Sequence, residues 1–249
     1  MLNLILLCIA GFFAALVDSI AGGGGLISVP AFMLAGLPPR LTLGTNKFSA
    51  TTASFTSSIK FIKSGKVKFD ILKYLIPFTL IGAALGVYTN QKINEKFLYP
   101  MVLILILFVG IYSFFSKSVG LEYNFKGITV KTIFLGIMLA FSLGFYDGFF
   151  GPGTGSFLIF GLISIFGFDF LRASSNAKIL NFISNITSLI IFALYKQIDY
   201  SYGIPVAIFM ILGAQVGTKL AITKGSKLIK PIFITMSLAV AIKMLYKMI

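Results

Sequence analysis

The chain contains no histidine, no tryptophan and a single cysteine, and each absence removes a class of chemistry. Without histidine the usual general base and the commonest metal ligand are missing. The lone Cys8 excludes an internal disulfide and a thiolate metal cluster, and within its apolar run it reads as a small hydrophobe. Any metal would have to rest on carboxylates and backbone carbonyls, yet the chain has only 7 acidic residues against 21 lysines and arginines. No metal and no cofactor is expected. There is no phosphate-binding loop and no soluble nucleotide domain, so the chain by itself is not an ATP-driven pump; as the membrane subunit of one it would need a separate ATPase. Without tryptophan, interfacial anchoring falls to tyrosine and lysine.

What the chain has in abundance is apolar sequence. Hydrophobic residues make up 57% and charged residues only 11%, where a soluble domain carries roughly 25% charge. A bilayer-crossing helix needs about 20 mostly apolar residues. Clear candidates run from Ile71 to Tyr88, Phe97 to Phe115, Thr129 to Phe145, Ala177 to Leu194 and Tyr202 to Ala221. Leu2 to Val17, Phe48 to Ile62 and Ile232 to Met248 are further spans whose ends are harder to place. The opening segment lacks a basic n-region and a small-residue cleavage site, and is read as a retained span. A net charge of +14 would suggest nucleic acid in a soluble domain. Here the lysines fall in short loops between spans, where anionic lipid headgroups account for them and nucleic acid is not needed.

The chain also repeats itself. Around Asp18 it reads LVDSIAGGGGLISVPAF and around Asp147 it reads FYDGFFGPGTGSFLIF, with Gly22 and Gly151 each four residues after the aspartate. Asn46 matches Asn176, and Gly82 to Gly86 matches Gly213 to Gly217, at offsets that stay between 129 and 131 residues. Order and spacing of polar landmarks are seldom preserved by chance in hydrophobic sequence, so a duplication is expected, residues 1–120 and 121–249 forming one transport domain together. Each copy has five apolar pieces, the second of them short: Leu26 to Leu37 and Ser156 to Phe168. At 1.5 Å per residue these reach about 18 to 20 Å, short of a hydrocarbon core of about 30 Å. They are expected to continue through the glycine turns as irregular backbone, which survives at membrane depth only where protein or a cavity satisfies it. Counting five crossings per copy puts Lys63, Lys66, Lys68 and Lys73, the central Lys117, Lys126 and Lys131, and Lys219, Lys224, Lys227 and Lys230 on one side. By the positive-inside rule that side is cytoplasmic and both termini are outside, although Lys243 and Lys247 count against this. The expected fold is an all-α integral membrane protein of two inverted-topology repeats.

The polar residues within this apolar background are the candidate site. Gly22, Gly23, Gly24 and Gly25 form one turn and Gly151, Gly153 and Gly155 the other. They either pack helices closely or face a ligand with the N–H groups of the short helices behind them, a positively polarised place that suits an anion. Asp18 and Asp147, one nearer each membrane face, are either acceptors for the turns or proton-carrying coupling groups. Asn46 and Asn176 are candidate helix caps or substrate contacts. Lys47 and Lys178, lysines in apolar helices, must pair, snorkel or meet a negative substrate. Arg40 and Arg172 suit a mouth or headgroup position, and Gln215 adds a polar group to the second copy alone.

The glycine-rich turn, Gly44-Thr45-Asn46-Lys47, and in the second copy Gly148 to Gly155 with Ser175-Asn176-Ala177-Lys178 resemble the TauE/SafE family of sulfite exporters over essentially the whole chain. The resemblance implies a secondary transporter in the cell membrane for sulfite, a sulfonate or another small anion, with export the commoner direction. It carries the glycine turns, Asn46, Lys47 and Asn176 onto the translocation site. Pro152 and Thr154 in the second turn, and the absence of a proline there matching Pro30, argue against a symmetric site. A channel and a membrane enzyme are the alternatives; the latter lacks a convergent acid–base or metal set. Proton or other ion coupling and a homo-oligomer are compatible with the sequence, which specifies neither.

Overall fold

The computed structural model describes residues 2–94 and 123–224. Among these every regular element is helical: α1 (Leu2–Ala21), α2 (Gly25–Leu34), α3 (Pro39–Lys63), α4 (Phe69–Lys92), α5 (Val130–Phe149), α6 (Thr154–Phe166), α7 (Phe170–Leu194) and α8 (Tyr200–Lys224). The expected spans Phe97 to Phe115 and Ile232 to Met248 lie outside the described residues. By length and composition α1, α4, α5, α7 and α8 can cross a membrane, while α2 and α6 are too short. This is an all-α membrane protein.

Burial is arranged for a lipid solvent. Large apolar side chains stand on the outside, among them Leu6 and Phe13 of α1, Ile81 and Leu85 of α4, Phe134 of α5 and Ile208 of α8. The interior holds serine, threonine, asparagine, lysine and aspartate. Much of this polarity belongs to α3, where buried hydroxyls return to carbonyls one turn back, as Thr51 Oγ1 does to Lys47 O at 2.6 Å and Ser54 Oγ to Ala50 O at 2.8 Å. Satisfied in this way, they cost little in the bundle.

The packing partners cross between the first four helices and the last four. Helix α1 lies against α8 and α4 against α5, while α3 and α7 meet each other at the centre and pack against α8 and α4 respectively. Glycine spacing on α4 and α8 explains the two close outer pairs. A Cβ at Gly82 or Gly86 would come within 2.3 and 2.1 Å of the carbonyls of Phe141 and Phe145, and one at Gly213 or Gly217 within 2.1 and 2.3 Å of those of Phe12 and Leu16. Only a side chain of hydrogen lets these backbones meet.

Two expected boundaries move. Helix α3 starts at Pro39, with the Pro38 position extended and a proline at its first turn, not near Phe48. Helix α7 starts at Phe170, its N-cap Asp169 accepting from Arg172 N at 2.8 Å. Asn46 and Asn176 therefore sit in helix interiors and cap neither helix. The cause is that the first two turns of each helix mix polar with apolar residues, Arg40, Thr42 and Thr45 in α3 and Arg172, Ser174 and Ser175 in α7, so the continuous apolar run starts later than the helix does.

Candidate functional site

The two glycine turns meet at the centre of the bundle. Gly22 has φ +68° and a Cβ there would lie 2.3 Å from the carbonyl carbon of Gly155, while one at Gly25 would lie 2.9 Å from Pro152 Cα. The first turn is thus held against the start of α6, and no larger residue fits at Gly22. Ser156 of α6 fastens the contact by donating to Gly22 O at 2.8 Å. Gly23, Gly151 and Gly153 also have positive φ, whereas Gly24 is already helical.

Where the turns meet, a cavity of about 40 Å³ opens, room for about three waters. Its walls come from both sides: Gly23, Gly24 and Gly25, then Gly151, Gly153 and Gly155, with Asp18, Asp147, Asn46 and Lys47 among them. Both α2 and α6 begin at this cavity, which lies level with the middle of α3 and α7. The expectation that neither Asp18 nor Asp147 is deeply buried, one lying nearer each membrane face, is corrected for Asp147: both reach the one cavity, and the Asp147 side chain is only 2% exposed. They reach it because the turn at the end of each aspartate-bearing helix folds back into the bundle.

Lys47 and Lys178 each pair with the aspartate of the other half of the chain. Lys47 Nζ is 2.8 Å from Asp147 Oδ2, and Lys178 Nζ is 2.6 Å from Asp18 Oδ2. Neither lysine reaches for a loop or headgroup, the alternative left open by the sequence. The two pairs differ in their remaining contacts. Asp18 also accepts from Gly23 N at 3.1 Å and Gly24 N at 3.2 Å, and Lys178 also donates to the backbone oxygen of Asp18 at 2.8 Å. That pair is built into the backbone of the first turn. Asp147 takes no N–H from its own turn, where Gly151 N goes to Tyr146 O; its other partner is the Ser184 hydroxyl. Lys47 donates to Asn185 Oδ1 at 2.9 Å and lines the cavity, which Lys178 does not.

The equivalence of Asn46 with Asn176 also changes. Asn176 Oδ1 accepts Lys68 N at 2.8 Å, and Thr45 Oγ1 accepts Asp199 N at 2.9 Å, each tying a helix to the loop before the fourth helix of the other copy. Thr45 is the counterpart of Asn176, at the same offset as Lys47 from Lys178. Asn46 instead takes a hydrogen bond from Ser28 Oγ at 2.6 Å and faces the cavity, whereas Asn176 and Gly22 lie away from it. Gln215 is exposed on α8 and lies outside the cavity. Arg40 holds the carbonyls at the end of α4, and Arg172 pairs with Asp169 at 2.6 Å.

Two cavity-lining residues, Asn181 and Asn185 of α7, are absent from the candidate site read from the sequence. Their spacing from Lys178, three and seven residues on, is the signal that places all three on one helix face. Asn185 Nδ2 donates to Asn181 Oδ1 at 3.3 Å. Among the described residues the amide nitrogens of Asn46 and Asn181, in side chains more than nine-tenths buried, have no protein partner and are free to donate into the cavity. The cavity therefore offers donors from amides, one ammonium and two helix starts.

The family model for sulfite exporter TauE/SafE matches residues 7–244. A probable membrane transporter protein of Haemophilus influenzae is 38% identical over 242 residues, covering 97% of this chain and 94% of that protein. Probable membrane transporter protein YfcA of Escherichia coli is 34% identical over 233 residues, 94% of this chain and 86% of its own length. Sulfite exporter TauE/SafE family protein 3 of Arabidopsis thaliana is 27% identical over 106 residues, 42% of this chain and 22% of its own. No solved structure matches. A family match along nearly the whole chain, joined to five helices that can cross a bilayer, makes this a multi-pass membrane transporter that belongs to the TauE/SafE sulfite exporter family.

Proposed function

We propose that the protein is a secondary transporter that moves a small anion, sulfite or an organosulfonate, out of the cell through the cavity between the glycine turns. One observation carries the reading: the first residues of two short helices, the Lys47 ammonium and the free amide nitrogens of Asn46 and Asn181 converge on one small, half-open cavity. Helix starts and ammonium groups favour negative charge, more strongly where bulk water is scarce. The amides would fix the oxygens of the bound anion. Gly23, Gly24, Gly25, Gly151, Gly153 and Gly155 would let its oxyanion come close to the backbone, while Gly22, Asn176 and Lys178 would hold the walls. The choice of sulfur anion and the outward direction rest on the family, since donors of this kind do not distinguish sulfite from a short carboxylate.

The crossed helix contacts and crossed ion pairs support two inverted repeats, residues 1–120 and 121–249, that rock about this centre. In that arrangement both termini face outward, and a C-terminal fluorescent reporter that matures only in cytoplasm stays dark; a bright one removes the topology. The function is tested with purified protein in liposomes, by counterflow against sulfite, sulfate, thiosulfate, taurine and short carboxylates. Saturable exchange of sulfite or taurine is expected. Saturable exchange of only a neutral or cationic solute would reject the anion site, non-saturable flux would make the protein a channel, and a carboxylate preference would reject the sulfur assignment.

A further inference from the structure

The four charges around the cavity sum to zero: Lys47 with Asp147 and Lys178 with Asp18. Among the described residues an arriving anion therefore meets no spare cation at the cavity and gains an ion pair there only by taking one from a carboxylate. Lys178 is not available, because it lies off the cavity and is held at once by Asp18 Oδ2 and Asp18 O. Lys47 is available: it faces the cavity, and the carboxylate it holds has only the Ser184 hydroxyl besides.

We propose, on the reading of the cavity as the anion site, that Asp147 is the internal counter-ion the substrate displaces, and that it takes up one proton when displaced. The step balances simply. A hydronium ion arriving from the side the anion enters gives its proton to the Asp147 carboxylate and leaves as water, the contact with Lys47 Nζ opens, and an oxygen of the anion takes the ammonium, which keeps its three protons. On release the proton leaves Asp147 and the pair closes again. The step follows from the surroundings: a carboxylate this enclosed and stripped of its cation is far less costly neutral than charged. The other charged groups near Asp147 are Lys47 from α3, Lys178 from α7 and Asp18 from α1. Helix α6 has no ionisable residue, the ionisable side chains of α4 are exposed, and the neighbouring Tyr146 hydroxyl is engaged with Pro152 O at 2.8 Å. Asp18 is left as a positioning residue. One proton and one monovalent anion travel together without net charge, so direction follows the anion and pH gradients and not the membrane potential.

The test uses the full chain in proteoliposomes with methanesulfonate, whose single negative charge is fixed through the neutral range, for uptake and for counterflow. In the wild type a pH gradient, acid outside, drives methanesulfonate inward with the membrane potential clamped, one proton entering per anion. In D147N this accumulation falls at least tenfold, and the half-saturation concentration for methanesulfonate counterflow becomes independent of pH. In D18N the rate falls but the proton-to-anion ratio stays at one, a readout that remains if D147N does not fold. Wild-type flux indifferent to the pH gradient, coupling kept in D147N, or coupling lost in D18N overturns the proposal. Absence of anion counterflow in the wild type would instead overturn the transport reading beneath it.

Discussion

Two ion pairs of the same composition flank the cavity, and they do different work. Asp18 and Lys178 are tied to backbone on both sides, through Gly23 N, Gly24 N and the Asp18 carbonyl. Asp147 and Lys47 touch only side chains, Ser184 and Asn185. The glycine turns beside them differ in the same sense. A Cβ at Gly22 would strike the main chain of Gly155 at 2.3 Å, whereas one at Gly151 would meet the Asp147 carbonyl oxygen and the ends of Lys47 and Asp147 no closer than 3.3 Å. Of the two similar motifs, one is thus held by main chain and the other by side chains alone. A side chain can trade a side-chain partner for a ligand without unfolding a turn.

The largest effect that would break this comparison comes from the turns. Gly22→Ala adds about 1–2 kcal/mol of left-handed backbone strain to a clash with main chain that cannot move aside, and folded protein should be lost on size-exclusion chromatography. Gly151→Ala carries similar strain but its nearest atoms, the Asp147 carbonyl oxygen and the ends of Asp147 and Lys47, stand 3.3 Å off, so it should fold and lose most of its transport to a methyl group beside Lys47. Equal behaviour of the two would erase the distinction. Double-mutant cycles measured by thermal denaturation come next. The coupling of Lys47 with Asp147, exposed by only 4% and 2%, should approach the upper end of the roughly 0.5–3 kcal/mol range for contacting residues. That of Lys178 with Asp18, whose carboxylate is 21% exposed, should be smaller. The smallest effect is that of Asn181→Ala, which removes one neutral donor worth about 1 kcal/mol. It should raise the half-saturation concentration for sulfite several-fold and lower the melting temperature only slightly, through the loss of the acceptor for Asn185 Nδ2.

Much of this was legible in the sequence. The membrane class, the short second helices, the glycine turns and the unusual Asp18, Asp147, Lys47 and Lys178 all follow from composition, spacing and the cost of charge in lipid. Partner choice did not. Matching copies says which residues are equivalent, but the crossing of Lys47 to Asp147 and Lys178 to Asp18 depends on how α3 and α7 pass at the centre. Residue type also misled the register, because Asn46 matches Asn176 by identity while Thr45 matches it by the hydrogen bond it makes. The starts of α3 and α7 were hidden for a related reason: first turns that mix polar with apolar residues look like loops when a continuous apolar run is taken as the sign of a helix.

The central claim, that Lys47 is the cation a substrate uses while Lys178 supports the wall, is tested most directly by sulfite counterflow in liposomes holding equal amounts of folded Lys47→Gln or Lys178→Gln protein. Loss of one charge-assisted contact of about 1.5–3 kcal/mol corresponds to roughly a tenfold to hundredfold change. The account predicts a fall of that size in kcat/KM for Lys47→Gln and a clearly smaller one for Lys178→Gln. Wild-type kcat/KM in Lys47→Gln, or the larger loss in Lys178→Gln, would contradict it.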